Sequence, residues 1–478
     1  MAETPSHFDF DLGIIGGGSA GYAAARTASA AGVRTAVIEG GEEVGGLCIL
    51  RGCMPTKALL YAAEVMHLAR HSEVWGIHKR ELDFRFTEVM ARKNTLIKEF
   101  AGFREQQLAS GNFTFVRAHA HFTDAHTLAI IPHKSSSHRG DTARRRKLTA
   151  KNFLISTGSI IAPSPLPQLS ELDCLNSDTA LKLTTLPRSL IMLGGGAVAV
   201  EFAQFFARFG VKVTLIQRSP HVLHEFDPEA AAELEEVFRR EGIVVYTGTK
   251  LLDARRSAAQ KEIIFEHDKK THSVQAEDVF FALGRIPNVS GLGLESIGVQ
   301  LEYHRIVTNA QMQSTVPHIY AAGDCAGLHE IVHIAVQQGE IAGHNVAHPG
   351  DMKQMDYRLL SEVIFTDPQI ATVGLTEKRA QVRNIPYICA SYPFSDHGKS
   401  LIMEARDGFV KLLADPLSGE IIGGCCVGPL GGELIHEIIV AMHARLTVHQ
   451  LAALPHYHPT LAEIWTYPAE ELAQKVRH

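Results

Sequence analysis

The sequence predicts an α/β protein with two Rossmann-like units and an α+β C-terminal domain. Two observations carry that expectation. The segments FDLGIIGGGSAGYAAARTASAAGVRTAVIEGG and SLIMLGGGAVAVEFAQFFARFGVKVTLIQRS follow one plan: strand, glycine turn, helix, strand. Gly16 stands as far before Glu39 as Gly194 stands before Gln217, so the chain carries an internal duplication of a mononucleotide-binding βαβ unit. In the last quarter of the chain, VIFTDPQIATVGL and GFVKLLADPLSGEIIGGCCVG read as alternating strands. Helical stretches at Gly432–Ala444 and Pro459–Leu472 follow, giving an α+β domain with a mixed or antiparallel sheet.

In chain order, the acidic and histidine-bearing N-terminus runs straight into the first strand. It has no basic and then apolar leader, so no signal peptide is expected. Helical apolar spacing predicts helices between Leu59 and Arg70 and between Phe84 and Leu108. VRAHAHFTDAHTLAIIPHKSSSHRGDTARRRKLTAKNFLISTGS reads as strands joined by a long polar hairpin, which the basic run Arg144–Lys147 caps as a solvated face. The histidines of HAHFTDAH lie in a strand pattern with no carboxylate or cysteine cluster to complete a metal site, and none is predicted. IIAPSPLPQL marks a crossing between domains, and near Gly284 the chain returns to the first domain. Cys425-Cys426 sits in an apolar strand whose adjacent residues point to opposite faces, which predicts buried packing.

Composition narrows the function classes. A 478-residue chain is too long for one core. With 45% hydrophobic and 21% charged residues and a net charge of −6, the chain has no general attraction to nucleic acid or anionic membrane. No apolar run reaches the length of a membrane span without a charge, and LIMLGGGAVAV stops at Glu201. Seven cysteines, odd in number and scattered, are not a secreted disulfide framework. A reducing cytoplasm is the expected compartment, where a close cysteine pair is catalytic or metal-binding more often than structural.

GIIGGGSAG provides Gly16-x-Gly18-x-x-Gly21 between a strand and a helix. Its glycines permit the tight turn, and the amides at the helix start meet a pyrophosphate. Glu39, ending the second strand, suits a ribose 2′-hydroxyl, so the unit is read as an adenine-dinucleotide site. The second unit has Gly194-x-Gly196-x-x-Ala199. There the acceptor position is the neutral Gln217, with Arg218 beside it. Nothing at that position repels a 2′-phosphate and a guanidinium stands ready for one, so NADP(H) is favoured over NAD(H).

GGLCILRGCMPTK places Cys48 and Cys53 five positions apart. Five helical residues rise about 7.5 Å, beyond the roughly 4.4–6.8 Å between Cα atoms of a disulfide. If the two bridge, the backbone must be irregular, and Gly52 is where it bends. Pro55 suits the first turn of the helix that follows. A staple, half a metal site and a redox pair all remain open on spacing alone. HYHPTLAEIW adds a candidate base: thiol exchange needs a proton acceptor near neutral pH. His458 precedes Pro459, which is read as starting a helix, and Glu463 is placed to orient the imidazole. His456 is the alternative, and His458 is preferred.

Two nucleotide units and a close cysteine pair together resemble the class I pyridine nucleotide–disulfide oxidoreductases over nearly the whole chain. GGLCILRGCMPTK matches the family's redox motif. Thr157-Gly158-Ser159 and STVPHIYAAGDCAG, with Asp324, match its flavin motifs. ALGRIPN, containing Gly284, matches the segment before the return to the flavin domain, and FTDPQIATVGLTE and HYHPTLAEIW match its dimer interface. The resemblance implies an FAD-binding domain at 1–157, an NAD(P)-binding domain at 158–285, a central return at 286–352 and an interface domain at 353–478. It implies electrons passing between NAD(P)H, FAD, a Cys48–Cys53 disulfide and a small dithiol or disulfide. Cys53 would lie against the flavin as its charge-transfer thiolate, and Cys48 would exchange with substrate. Lys57 and Glu201 match an ion pair beside the flavin. His458 and Glu463 would come from the other subunit, making the enzyme a homodimer.

Substrate class follows from the departures. Mercuric reductases carry C-terminal cysteines and lack the His-Pro-Thr-x-x-Glu arrangement, whereas this sequence ends AEELAQKVRH and keeps His458 and Glu463. HPTLAE fits the lipoamide-dependent branch best, with a lipoyl-bearing protein as partner, although Gln217 stands where that branch usually has an acid. An NADPH-driven reductase of glutathione-like disulfides or mercuric ion is the alternative. An oxidase without disulfide chemistry is the rival from another class.

Overall fold

A computed structural model describes residues 7–78, 82–132, 146–257 and 260–476. The chain divides into two compact units. One comprises residues up to Thr56, Ala91–Pro163 and Gly284–Asp356, and the other comprises Lys57–Met90, Ser164–Leu283 and the chain from Tyr357. The antiparallel C-terminal sheet groups with the second βαβ unit, and the segment after Thr56 leaves the first unit.

In the first unit, β1 (Phe10–Ile15) pairs in parallel with β2 (Thr35–Glu39) on one side and β5 (Lys147–Ile155) on the other. Strand β3 (Thr114–Asp124) extends the sheet beyond β2, and Ile319–Ala321 closes it beyond β5, so the chain does return after Gly284. Strand β1 reads as an unbroken apolar run with Leu12, Ile14 and Ile15 buried, and Ile15 packs in one cluster with Phe122 of β3 and with Leu128 and Ile130. Strand β4 (Thr127–Pro132) pairs antiparallel with β3 and β5, and these are the strands expected around the polar hairpin. Arg144 and Arg145 of the basic run lie outside the described residues.

Helix α1 (Ser19–Ala30) is alanine-rich for a packing reason. Ala20, Ala23, Ala24 and Ala28 are buried, and the helix lies against Val332–Ala347. A Cβ on Gly339 would stand 2.2 Å from the Ala20 carbonyl oxygen, so only small residues allow this approach.

The second unit has a parallel sheet in the order Asp278–Phe281, Ser189–Leu193, Lys212–Ile216, Val244–Tyr246. Its helix Ala197–Arg208 is almost wholly buried, with the Phe202 ring 4.9 Å from Phe280. The C-terminal sheet has five strands, all antiparallel, in the order Ser361–Ile364, Gln369–Gly374, Ile421–Gly428, Phe409–Ala414, Ile388–Pro393. Cys425 and Cys426 face two different apolar clusters from the third of these strands. Burial pushes the Cys425 thiol up to about 12 and the Cys426 thiol well above its usual range, so neither is a thiolate at neutral pH.

One expected element is corrected. Pro459 does not begin a helix. It lies in a bend, a 3-10 turn spans Ala462–Trp465, and the α-helix runs Thr466–Lys475. The Thr460 hydroxyl bonds back to the Tyr457 carbonyl at 2.7 Å, and fully buried Trp465 donates its indole N–H to the Leu434 carbonyl. Those two bonds set where the helix starts.

Candidate active site

The cysteine loop breaks at Gly52, between two helices. Helix α2 (Gly46–Leu50) carries Cys48 and ends at Arg51, and helix α3 (Cys53–Arg70) begins on Cys53 with Pro55 in its first turn. At Gly52 an added Cβ would meet the Leu47 carbonyl oxygen at 3.1 Å and the Cys48 Cα at 3.4 Å, so the chain folds back on α2 as it enters α3. Both cysteines are half-buried. A thiolate at the N-terminus of a helix is favoured by the exposed amides there.

Around this loop the first unit forms a glycine-lined cradle. Gly16 has φ +102°, and a Cβ on Gly21 would lie 1.9 Å from the Gly16 carbonyl oxygen. Gly46, at φ +72°, faces Gly18 so closely that a Cβ would stand 2.7 Å from the Gly18 Cα. Glu39 is held by the amides of Gly17 (2.8 Å) and Gly41 (2.7 Å), one on each oxygen, which leaves each oxygen a lone pair for a diol. Ser159 donates to Asp324 at 2.6 Å and accepts from Arg285 Nε at 2.8 Å. Thr157 donates to the Asn288 carbonyl at 2.6 Å, tying the Thr157-Gly158-Ser159 turn to the strand after Gly284. An open turn, an anchored carboxylate and an oriented aspartate suit a dinucleotide's pyrophosphate, ribose and polyol chain. The residues fit FAD.

The second unit repeats the turn. Gly194 has φ +111°, and a Cβ there would meet the Ala282 carbonyl oxygen at 2.3 Å. Gly196 precedes the helix Ala197–Arg208, and Ala199 is buried. Gln217 is buried against Gly195 with its Oε1 accepting from the Arg218 amide at 3.0 Å, while the Arg218 side chain is exposed.

Lys57 and Glu201 do pair. Lys57 Nζ lies 2.9 and 2.8 Å from the two carboxylate oxygens of Glu201, which is 4% exposed against 31% for the lysine. Sequence reading missed Phe365. Its amide donates to Glu201 at 2.9 Å and its ring lies 4.6 Å below the ammonium. Lys57 also lies one turn after Cys53 on α3, and therefore on the same face. Lys57→Met would leave Glu201 buried with one amide for company. A loss of about 2–3 kcal/mol is expected, at the low end for a broken buried pair because the lysine is partly solvated. Urea unfolding of the two proteins at neutral pH measures it.

His458 and Glu463 come together as expected, with Nδ1 2.9 Å from Oε2 and 3.2 Å from Oε1. The histidine is 78% exposed and the glutamate 12%. His456 is engaged elsewhere, its Nε2 2.6 Å from Glu437. Among the described residues, Asp227, Glu229 and Glu377 form the one group of metal-ligating side chains, and the Lys411 ammonium lies among them, 2.6 Å from Glu377 and 3.8 Å from Asp227.

The fold and these side chains define a flavin-linked disulfide oxidoreductase. Residues 10–339 match the pyridine nucleotide-disulphide oxidoreductase family and residues 360–469 its dimerisation domain, so the chain belongs to that family and is an enzyme of it, using FAD and a nicotinamide nucleotide. It is 32% identical to the dihydrolipoyl dehydrogenase of Geobacillus stearothermophilus over 96% of this chain and 95% of the relative. It is 33% identical to the Bacillus subtilis enzyme of the same name over 95% and 96%. The solved structure of LpdA from Mycobacterium tuberculosis superposes with a TM-score of 0.86 at 28% identity, covering 96% of this chain and 99% of that one. The flavoprotein disulfide reductase RclA from Escherichia coli shares the fold, with a TM-score of 0.84 at 24% identity. No helix of the described residues is long and apolar enough to cross a membrane.

Proposed function

We propose that this chain is a homodimeric dihydrolipoyl dehydrogenase-like enzyme that works on a small dithiol or disulfide, with a lipoyl-bearing protein as partner, in the reducing cytoplasm. The observation that carries the reading is the His458–Glu463 pair, with its imidazole exposed and oriented through Nδ1. FAD, when bound, supplies the electron relay between the nicotinamide and the cysteines. The domain assignment follows: 1–157 and 286–352 for FAD, 158–285 for NAD(P), 353–478 for dimerisation.

The Cys48 thiolate attacks the substrate disulfide, forming a mixed disulfide and releasing one substrate thiolate, which takes a proton from the partner subunit's His458. The Cys53 thiolate then attacks the Cys48 sulfur, restoring the Cys48–Cys53 disulfide and releasing the second substrate thiolate, which is protonated from solvent. The opposite direction runs these steps backwards, with His458 accepting the proton. Tyr457 at 81% and Val440 at 65% exposure place apolar surface in the same domain, of the kind a second copy covers.

For the nucleotide, neutral Gln217 and exposed Arg218 support NADP(H) over NAD(H). Arg218→Ala is expected to lower kcat/KM for NADPH about tenfold or more and leave NADH unchanged. A parent enzyme that clearly prefers NADH refutes this preference. A panel of lipoamide, glutathione disulfide and mercuric ion, run with both nucleotides, tests the substrate. Turnover of glutathione disulfide but not lipoamide would favour the NADPH-driven reductase, the reading that Gln217 supports.

A further inference from the structure

His397 is a fully buried histidine that the chemistry above does not use. It precedes the short helix Gly398–Ile402, more than sixty residues before Glu463 in the chain. Its Nδ1 lies 2.8 Å from the hydroxyl of Ser400, also fully buried, and its Nε2 lies 3.4 Å from Glu463 Oε1. That second contact is long and outside hydrogen-bond geometry, and Nε2 has no other partner among the described residues. The tautomer follows from the two neighbours. A carboxylate only accepts, so the Nε2 side must carry the proton, and the Ser400 hydroxyl then donates to Nδ1. The reverse tautomer would set a nitrogen lone pair against the carboxylate in a buried site.

Glu463 therefore stands between two imidazoles. One is wholly buried, and the other is 78% exposed. The titratable groups facing His397 are Glu463, which favours its charged form, and His458, which opposes it, with the Tyr467 ring 6.4 Å away edge-on. Burial is the larger influence and holds the imidazole below its ordinary range, so His397 stays a neutral donor at neutral pH.

We propose that His397 is a positioning residue for the disulfide step. Anchored by Ser400, it points the positive end of its Nε2–H dipole at the Glu463 carboxylate from 3.4 Å and so biases where that carboxylate sits, and Glu463 in turn holds His458 with Nδ1 inward and Nε2 free to exchange the thiol proton. The inference rests on His458 as the base proposed above, and the two are separable. In the FAD-loaded full-length enzyme, His397→Leu is expected to slow lipoamide reduction about fivefold, less than a full hydrogen bond to a charged group contributes because the contact is long. Flavin reduction by nucleotide should be unchanged. His397→Gln, which can present an N–H near the same place, should restore most of the rate. In a Glu463→Gln background, His397→Leu should cost almost nothing more, because it acts through that carboxylate. Ser400→Ala gives a second arm that keeps the imidazole but frees its tautomer, and a loss confined to the disulfide step is expected. Losses that multiply with Glu463→Gln, or undiminished turnover in His397→Leu or Ser400→Ala, would overturn the proposal and leave the His458 reading standing. Undiminished turnover in His458→Ala would remove both.

Discussion

His458→Ala is expected to lower disulfide turnover about a thousandfold, within the range for loss of a general acid–base group. Flavin reduction by NAD(P)H should stay near the parent rate. The split follows from the role proposed for the side chain, which is to exchange the substrate's thiol proton and not to take part in hydride delivery. Stopped-flow measurement of the two half-reactions separates them, and equal losses in both would defeat the assignment. Glu463→Gln should fall between parent and His458→Ala, since an amide still accepts from Nδ1–H but no longer balances an imidazolium.

Cys48→Ser and Cys53→Ser are each expected to reduce lipoamide turnover to background. Exchange needs both sulfurs, one to attack substrate and one to resolve the mixed disulfide, and serine does neither under these conditions. Counting thiols under denaturing conditions, before and after anaerobic treatment with NAD(P)H, gives an independent readout. The parent should gain about two thiols per chain, one for each sulfur of the disulfide released, and each variant none. Cys425 and Cys426 should not contribute to the change, because burial keeps both protonated inside the C-terminal sheet. Appreciable lipoamide turnover in either serine variant would remove the cysteine pair from the mechanism.

Much of the site was legible because its parts are local. The glycine turn, the carboxylate at the end of the next strand, the two cysteines and the His458–Glu463 pair each fall within one element or one short loop. Their spacing carries their meaning whatever the rest of the chain does. The helix expected from Pro459 failed for the opposite reason. Proline is compatible with a first turn, but the buried indole of Trp465 and its bond to Leu434 set the start several residues later.

The sequence by itself determined the two βαβ units, the bend at Gly52 in the cysteine loop, the His458–Glu463 pairing and the family to which the chain belongs. Only the tertiary structure decided that Lys57 pairs with a buried Glu201 capped by the Phe365 amide, that Arg285 reaches Asp324 through Ser159, and that His397 and Ser400 stand behind Glu463. Those contacts join residues far apart in the chain, where no periodicity links them. A lysine or histidine read alone has the same chemistry at the surface as in the core, and burial with a particular partner is what gives each of these its role.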